Sequence, residues 1–249
     1  MINTGLASHA QQRRRVRHIT GRDFHKSEWM ESGEDPILSP TVFLVEQPPH
    51  ATLYSHFHGE NQFQVVVQGS GTIGPHPLQP LTVHYAGAYT GYGPIVAGDE
   101  GLFYFTLRPV FEAGSKKTVE EMVRGPKRHM TSAPHDELDA AALKAIAATE
   151  AHELIALQGD GLAATVLRLP PDASARGLDP AKGGGQFFLV LGGSLQFQDH
   201  SLKRWETVFL SADEQPLEIR AGGDGLELLC LQVAPKDPLY LEAKLRASQ

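Results

Sequence analysis

The segment Gln62-Phe-Gln-Val-Val-Val-Gln-Gly-Ser70 recurs 124 residues later, without a gap, as Gln186-Phe-Phe-Leu-Val-Leu-Gly-Gly-Ser194. At the same offset Ile95-Val-Ala97-Gly98 meets Ile219-Arg-Ala221-Gly222, Gly101-Leu102 meets Gly225-Leu226, and Leu107 meets Leu231. An offset held constant from Gln62 to Leu107 marks one structural unit built twice in the chain of 249 residues. Whatever fold the first copy adopts, the second must adopt as well.

The content of the copies points to strands. Residues 41–46, 51–57, 62–68, 81–85 and 102–107 are short β-rich runs, and Pro or Gly punctuates nearly every gap between them. Short runs at close spacing with no helices interleaved predict an antiparallel sandwich or barrel rather than a parallel α/β sheet. The expected organisation is therefore an all-β chain of two barrels, over residues 25–115 and 150–238. The intervening residues 116–149 read as a helical linker. Thr118-Val-Glu-Glu121 offers a capping box for a short helix, and Leu138, Ala142 and Ile146 recur at helical spacing between Asp136 and His152. Residues 1–24 form an N-terminal arm. Its first 22 residues hold no acidic residue but carry Arg13, Arg14, Arg15, Arg17 and Arg22, a composition that fits a transit peptide or basic arm loosely and a solvated terminus more simply. Residues 239–249 are left as a tail.

Composition narrows the function classes. A net charge of −7 and a pI near 5.9 give no overall field that would recruit nucleic acid or anionic lipid. No apolar run is long enough to span a bilayer. The single cysteine, Cys230, lies in an apolar run and reads as a buried inert thiol, which suits a reducing compartment such as the cytoplasm. The expected partner is a small molecule, with neither nucleic acid nor membrane involved.

Chemistry concentrates just before the first repeated segment. His56 and His58 stand one residue apart on an extended stretch, so both imidazoles fall on one face and can reach one metal ion. Gln62 and Gln64 share that parity. The run His56-x-His58, three residues, Gln62, six residues, Gly69 resembles the first motif of the cupin superfamily, with Gln62 where that family usually carries a glutamate ligand and His50 in place of its lead-in glycine. The second cupin motif, which would bring a third histidine, is degenerate: residues 86–94 read Ala-Gly-Ala-Tyr-Thr-Gly-Tyr-Gly-Pro. The resemblance implies two jelly-roll barrels in tandem, a bicupin. It also implies a divalent metal, zinc, iron, nickel or manganese, held by His56, His58 and Gln62; a homodimer is expected because exposed edges of such sheets commonly pair.

Comparing the two copies sharpens this. The positions of His56 and His58 become Pro180 and Lys182, and Gln64 and Val66 become Phe188 and Val190. The second copy therefore reads as a packed, metal-free core, and a small-molecule site belongs to the first. Gln64, Tyr85 and Tyr92 are its candidate substrate-binding residues. Tyr89 and Tyr104 are further aromatics for the barrel mouth, and His84 is a lesser candidate ligand, because its neighbour Tyr85 aligns with Phe209 and so reads as the buried position.

Two functions remain open. A metal-dependent enzyme of oxygenase, isomerase, lyase or decarboxylase type would act on a small polar molecule. Alternatively, a binding or sensing protein would hold a ligand without turnover, since no general base stands in plain view.

Overall fold

The repeated segments are the central strands of two antiparallel sheets. In a computed structural model describing residues 1–31 and 39–247, Gln62–Ile73 lies between Val83–Ala86 and Ile95–Arg108, and Gln186–Phe197 lies between Thr207–Leu210 and Glu218–Gln232. The short strands His76–Leu78 and His200–Leu202 complete the correspondence at the same offset of 124. Thr41–Gln47 and Ala163–Leu169 pair with the other side of each long strand. The chain is all-β, and each sheet curls around an apolar core of its own.

A third core lies between the two barrels. Phe63, Val65 and Val67 from the first central strand meet Phe187, Leu189 and Leu191 from the second, together with Phe105, Leu107, Phe209 and Leu231. Alternate residues of the same strands, Val66 in one barrel and Phe188 and Val190 in the other, turn into their own barrels. Both faces of each central strand are thus buried, which is why the sequence there is a continuous apolar run. Period-two alternation still sorts the side chains, but between two interiors.

This double burial corrects the expectation for Tyr85. It packs on Phe63 at 5.1 Å between centroids, in the core shared by the barrels, and does not line the site. Its equivalence with Phe209 holds, since both are buried, but the buried face is the outer one. His84, of opposite parity, therefore faces the barrel interior.

Three connecting segments also differ from expectation. The N-terminal residues are not a free arm. Ile2–Gly5 pairs with the edge strand Thr207–Leu210 of the second barrel, covering amide groups that would otherwise be open to another chain. Arg14–Ile19 and Arg22–Met30 then form a hairpin on the edge of the first sheet, turning at Thr20 and Gly21, both with positive φ. Three of the arginines are paired in place, Arg13 with Glu31, Arg14 with Glu46 and Arg15 with Glu28. The linking helix shrinks to Ala140–Lys144, capped by Asp139, whose carboxylate accepts from the Ala142 amide at 2.8 Å. Leu143 is its one buried anchor, and the chain leaves the helix to form the strand Glu150–Ile155. The tail is the helix Pro238–Ala247, where Tyr240 packs on Tyr89 at 5.0 Å and its hydroxyl donates to the Pro126 carbonyl.

Gly69 shows why a glycine closes the repeated segment. It sits at φ 75° where the pairing with Ile95–Arg108 slips by one residue, and a Cβ there would lie 2.2 Å from the Gly101 carbonyl oxygen. Gly193 repeats this at φ 67°, with 2.0 Å to the Gly225 oxygen. Both are bulge glycines that only a residue without a side chain can occupy. Gly69→Ala and Gly193→Ala are each expected to lower unfolding free energy by at least about 1–3 kcal/mol, the range for strained backbone positions. Gln68→Ala, on the exposed side of the same bulge, should stay within about 0.5 kcal/mol. Urea midpoints of the three variants check this, and a tolerated alanine at Gly69 would contradict it.

Candidate functional site

His56 and His58 lie on a short extended segment held from both sides. His56 exchanges backbone hydrogen bonds with Tyr92, and Phe57 with Lys116. The two rings share a face, with centroids 5.3 Å apart, as their spacing predicts. Each Nδ1 faces an acceptor: the Tyr54 carbonyl at 2.7 Å for His56, and the Glu112 carboxylate at 2.7 Å for His58. Glu112 also accepts from the Gly59 amide at 2.7 Å.

The donor and acceptor roles in this site follow from one residue. Arg108 donates from Nη2 to His58 Nε2 at 3.0 Å and from Nε to Gln62 Oε1 at 2.9 Å. A guanidinium only donates, so His58 Nε2 must accept and its proton must be on Nδ1, pointed at Glu112. The Gln62 amide is fixed with its oxygen on Arg108, leaving its nitrogen to donate to the Tyr92 hydroxyl at 2.6 Å. Tyr92 in turn donates to His56 Nε2 at 2.9 Å. Both imidazoles are therefore neutral Nδ1–H tautomers with Nε2 turned inward.

Burial supports those protonation states. It pushes His56 down to about 4 and lowers His58, where the hydrogen bond to Glu112 acts in the opposite sense. Burial also pushes the Tyr92 hydroxyl up to about 12. Glu112 is held below the usual carboxylate range, because the bonds from His58 and Gly59 outweigh the burial that opposes its charge.

Arg108 itself is 5% exposed, and no carboxylate lies within 4.0 Å of it among the described residues. Desolvation lowers its pKa, yet a guanidinium keeps its proton across the physiological range. It opens on a cavity of about 520 Å³, a size typical of small-molecule sites, whose wall also includes Lys26, Phe43, Gln64, Tyr92 and Tyr104. Among the described residues Arg13, Arg15, Lys26 and Arg108 line this cavity, together with the carboxylates Glu28, Glu31 and Glu112. Glu28 is shared by Arg15 and Lys26, so the described part of the wall carries a positive excess.

The structure brings together His56, His58, Gln62, Gln64 and Tyr92 and leaves Tyr85 outside. His84 lies within the barrel with its Nδ1 2.9 Å from Gln64 Oε1 and its ring 5.2 Å from Tyr92, but behind the cavity and not on its wall. Arg108 and Glu112 join them, and neither belongs to the sequence motif. A signal for Arg108 existed: period two along Ile95–Arg108 puts Tyr104, Thr106 and Arg108 on one face.

For a divalent ion the fit is partial. The two Nε2 atoms, each backed by an acceptor on Nδ1, are arranged as metal-binding imidazoles are. The remaining set does not fit, because Gln62 has its oxygen on Arg108 and the guanidinium stands against His58 Nε2, where it would oppose a second positive charge. Among the described residues no group of three or more His, Cys, Asp or Glu is placed to hold a metal.

No protein-family model matches the chain, and no curated protein sequence is similar to it. Solved structures are similar over nearly its whole length. A putative dioxygenase from Nostoc punctiforme superposes with a TM-score of 0.58 at 14% identity, over 96% of this chain and 80% of that one. The pirin YhhW of Escherichia coli, solved with nickel(II), gives 0.54 at 11% identity, over 94% and 100%. Salicylate 1,2-dioxygenase from Pseudoaminobacter salicylatoxidans, solved with gentisate, gives 0.53 at 13% identity, over 98% and 83%. The chain has the tandem cupin fold. At the position of the first-motif glutamate the chain has Gln62, and the glutamine serves Arg108 and Tyr92.

The buried histidines carry a pH dependence. Burial pushes His84 down to about 3, with the charges of His129 and His76 acting the same way, so it stays neutral in the folded chain. In the unfolded chain it titrates near its ordinary value of roughly 6.5. Between those values the unfolded state binds more protons, and stability falls as pH drops from 6.5 toward 3, with His56 adding to the slope down to about 4. Urea midpoints measured from pH 7 to 4.5 should decline, and His84→Gln should flatten part of the decline. An unchanged slope in that variant would contradict the assignment.

Proposed function

We propose that the N-terminal barrel is a binding site for a small anionic molecule, a carboxylate above all, which the Arg108 guanidinium anchors beside the His56, His58 and Tyr92 edge. The observation that carries this reading is the buried guanidinium, which among the described residues has no carboxylate partner. An unpaired buried charge costs roughly several kcal/mol, and an entering anion offsets that cost while accepting the unused N–H groups in a fork. The neutral imidazoles, their Nε2 atoms already engaged by Tyr92 and Arg108, position the guanidinium and the phenol and do not act as free bases. Tyr104 and Phe43 supply apolar wall for the body of the ligand. On this reading the protein binds without turnover. The gentisate carried by one structural neighbour is a carboxylate, in keeping with it.

A second reading is favoured by the shared tautomer of His56 and His58 and by the nickel(II) in one neighbour. In it the two histidines hold a divalent zinc, iron, nickel or manganese ion, and the protein is a metal-dependent enzyme. Such an ion would supply Lewis-acid or oxygen-binding chemistry.

Calorimetry with benzoate and benzamide, together with metal analysis of protein purified without chelator or histidine tag, separates the two readings. Anion anchoring predicts that benzoate binds, that benzamide is at least about tenfold weaker, and that Arg108→Gln abolishes the difference, as expected for loss of a charge-assisted contact. The substitution copies Gln232 of the second barrel, where a glutamine pair stands in the same place. Equal binding of benzamide, or benzoate binding unaffected in Arg108→Gln, would contradict it. One tightly held metal per chain that is lost in His58→Ala would establish the second reading instead.

A further inference from the structure

The second barrel was expected to be filled. It instead keeps a cavity of about 250 Å³ at the matching mouth, lined by Thr165, Leu167, Gln186, Phe188, Cys230 and Gln232 among others. Strand register makes the correspondence residue by residue. Phe43 pairs with Thr106 as Thr165 pairs with Cys230, and the positions of Gln64 and Arg108 are Phe188 and Gln232. The buried charge of the first cavity is thus removed, while a cavity is retained.

Its polar groups are two amides. Gln186 Nε2 donates to the Leu178 carbonyl at 2.9 Å and to Gln232 Oε1 at 2.7 Å, which spends both of its hydrogens and fixes both amide orientations. Gln186 Oε1 is left buried with no partner, and the Gln232 amide nitrogen, which makes no hydrogen bond among the described residues, is not sealed off in the same way. Both side chains are more than nine-tenths buried. A buried acceptor left without a partner in an apolar wall is costly unless a ligand meets it, and the accessible Gln232 amide supplies a donor beside it. Burial raises the Cys230 thiol well above its ordinary value, so it is an uncharged and unreactive part of the wall. Arg176 and Glu153, the charged lining residues, are exposed to solvent.

We propose that this cavity is a second ligand site, specific for a neutral, largely apolar molecule carrying one hydroxyl, such as a phenol. The hydroxyl donates to Gln186 Oε1 and accepts from the Gln232 amide, and the hydrocarbon body lies against Leu167, Phe188 and Cys230. The two barrels then select opposite chemistries at equivalent seats, an anion in the first and a neutral phenol in the second.

The test uses the full chain with 4-ethylphenol as probe and ethylbenzene as its hydrocarbon control, followed by calorimetry and ligand-observed NMR. The expected result is one equivalent of 4-ethylphenol bound, at least tenfold tighter than ethylbenzene. Thr165→Phe, which installs the residue of the first barrel, should abolish binding, and Arg108→Gln should leave it unchanged. Circular dichroism and a retained benzoate response show that the Thr165→Phe chain is folded. No saturable binding, binding that survives Thr165→Phe, or ethylbenzene binding as tightly as the phenol would each overturn the proposal. Loss of benzoate binding in Arg108→Gln bears only on the first barrel, so the two sites fail or stand separately.

Discussion

A buried positive charge, with no carboxylate paired to it among the described residues, organises the first barrel. Arg108 sets the tautomer of His58, the orientation of the Gln62 amide and, through Gln62, the direction of the Tyr92 hydroxyl. Each of these groups has one consistent role once the guanidinium is in place, because arginine cannot accept a hydrogen bond. The nearest negative charge in the network, Glu112, is reached only through the His58 ring. Such an arrangement is tolerated when the residual charge serves a ligand, and the positive wall of the cavity gives that ligand its sign.

Duplication lets one half of the molecule act as the control for the other. The Gln62–Arg108 pair becomes Gln186–Gln232, two neutral amides in the same cross-strand position. The histidine segment becomes the 3₁₀ turn Pro180–Lys182, and Gln64 becomes Phe188. The backbone, down to the bulge glycines and their carbonyl contacts, is kept. The scaffold therefore depends on the shared apolar face and the bulges, and the chemistry depends on a handful of inward positions that vary without disturbing it.

The fold was legible because a duplicated strand pattern survives in the sequence at constant offset, and strand parity then placed His56, His58, Gln62 and Gln64 on one face. Parity failed at Tyr85 and His84, since it cannot say which of two buried faces is the barrel interior. Arg108 escaped because the recognisable repeat ends at Leu107, one residue earlier, and its pairing with Gln62 is a contact between distant strands. Glu112 reaches the site from an irregular segment that no periodicity describes. The N-terminal strand and hairpin were missed because their arginines read as a solvated arm until their acidic partners are seen in space. The second cavity is a volume, and a list of apolar residues does not reveal whether they fill their space.

The state of the imidazoles tests the central claim most directly. Nitrogen-15 NMR of histidine-labelled protein at pH 7 distinguishes Nδ1–H, Nε2–H and imidazolium forms residue by residue. Arg108 donating to His58 requires a neutral Nδ1–H tautomer there, and the chain from Arg108 through Gln62 and Tyr92 requires the same of His56, which remains so until the pH approaches about 4. A proton on Nε2 of His58, or an imidazolium at neutral pH, would contradict the arrangement from which the anionic-ligand site is argued.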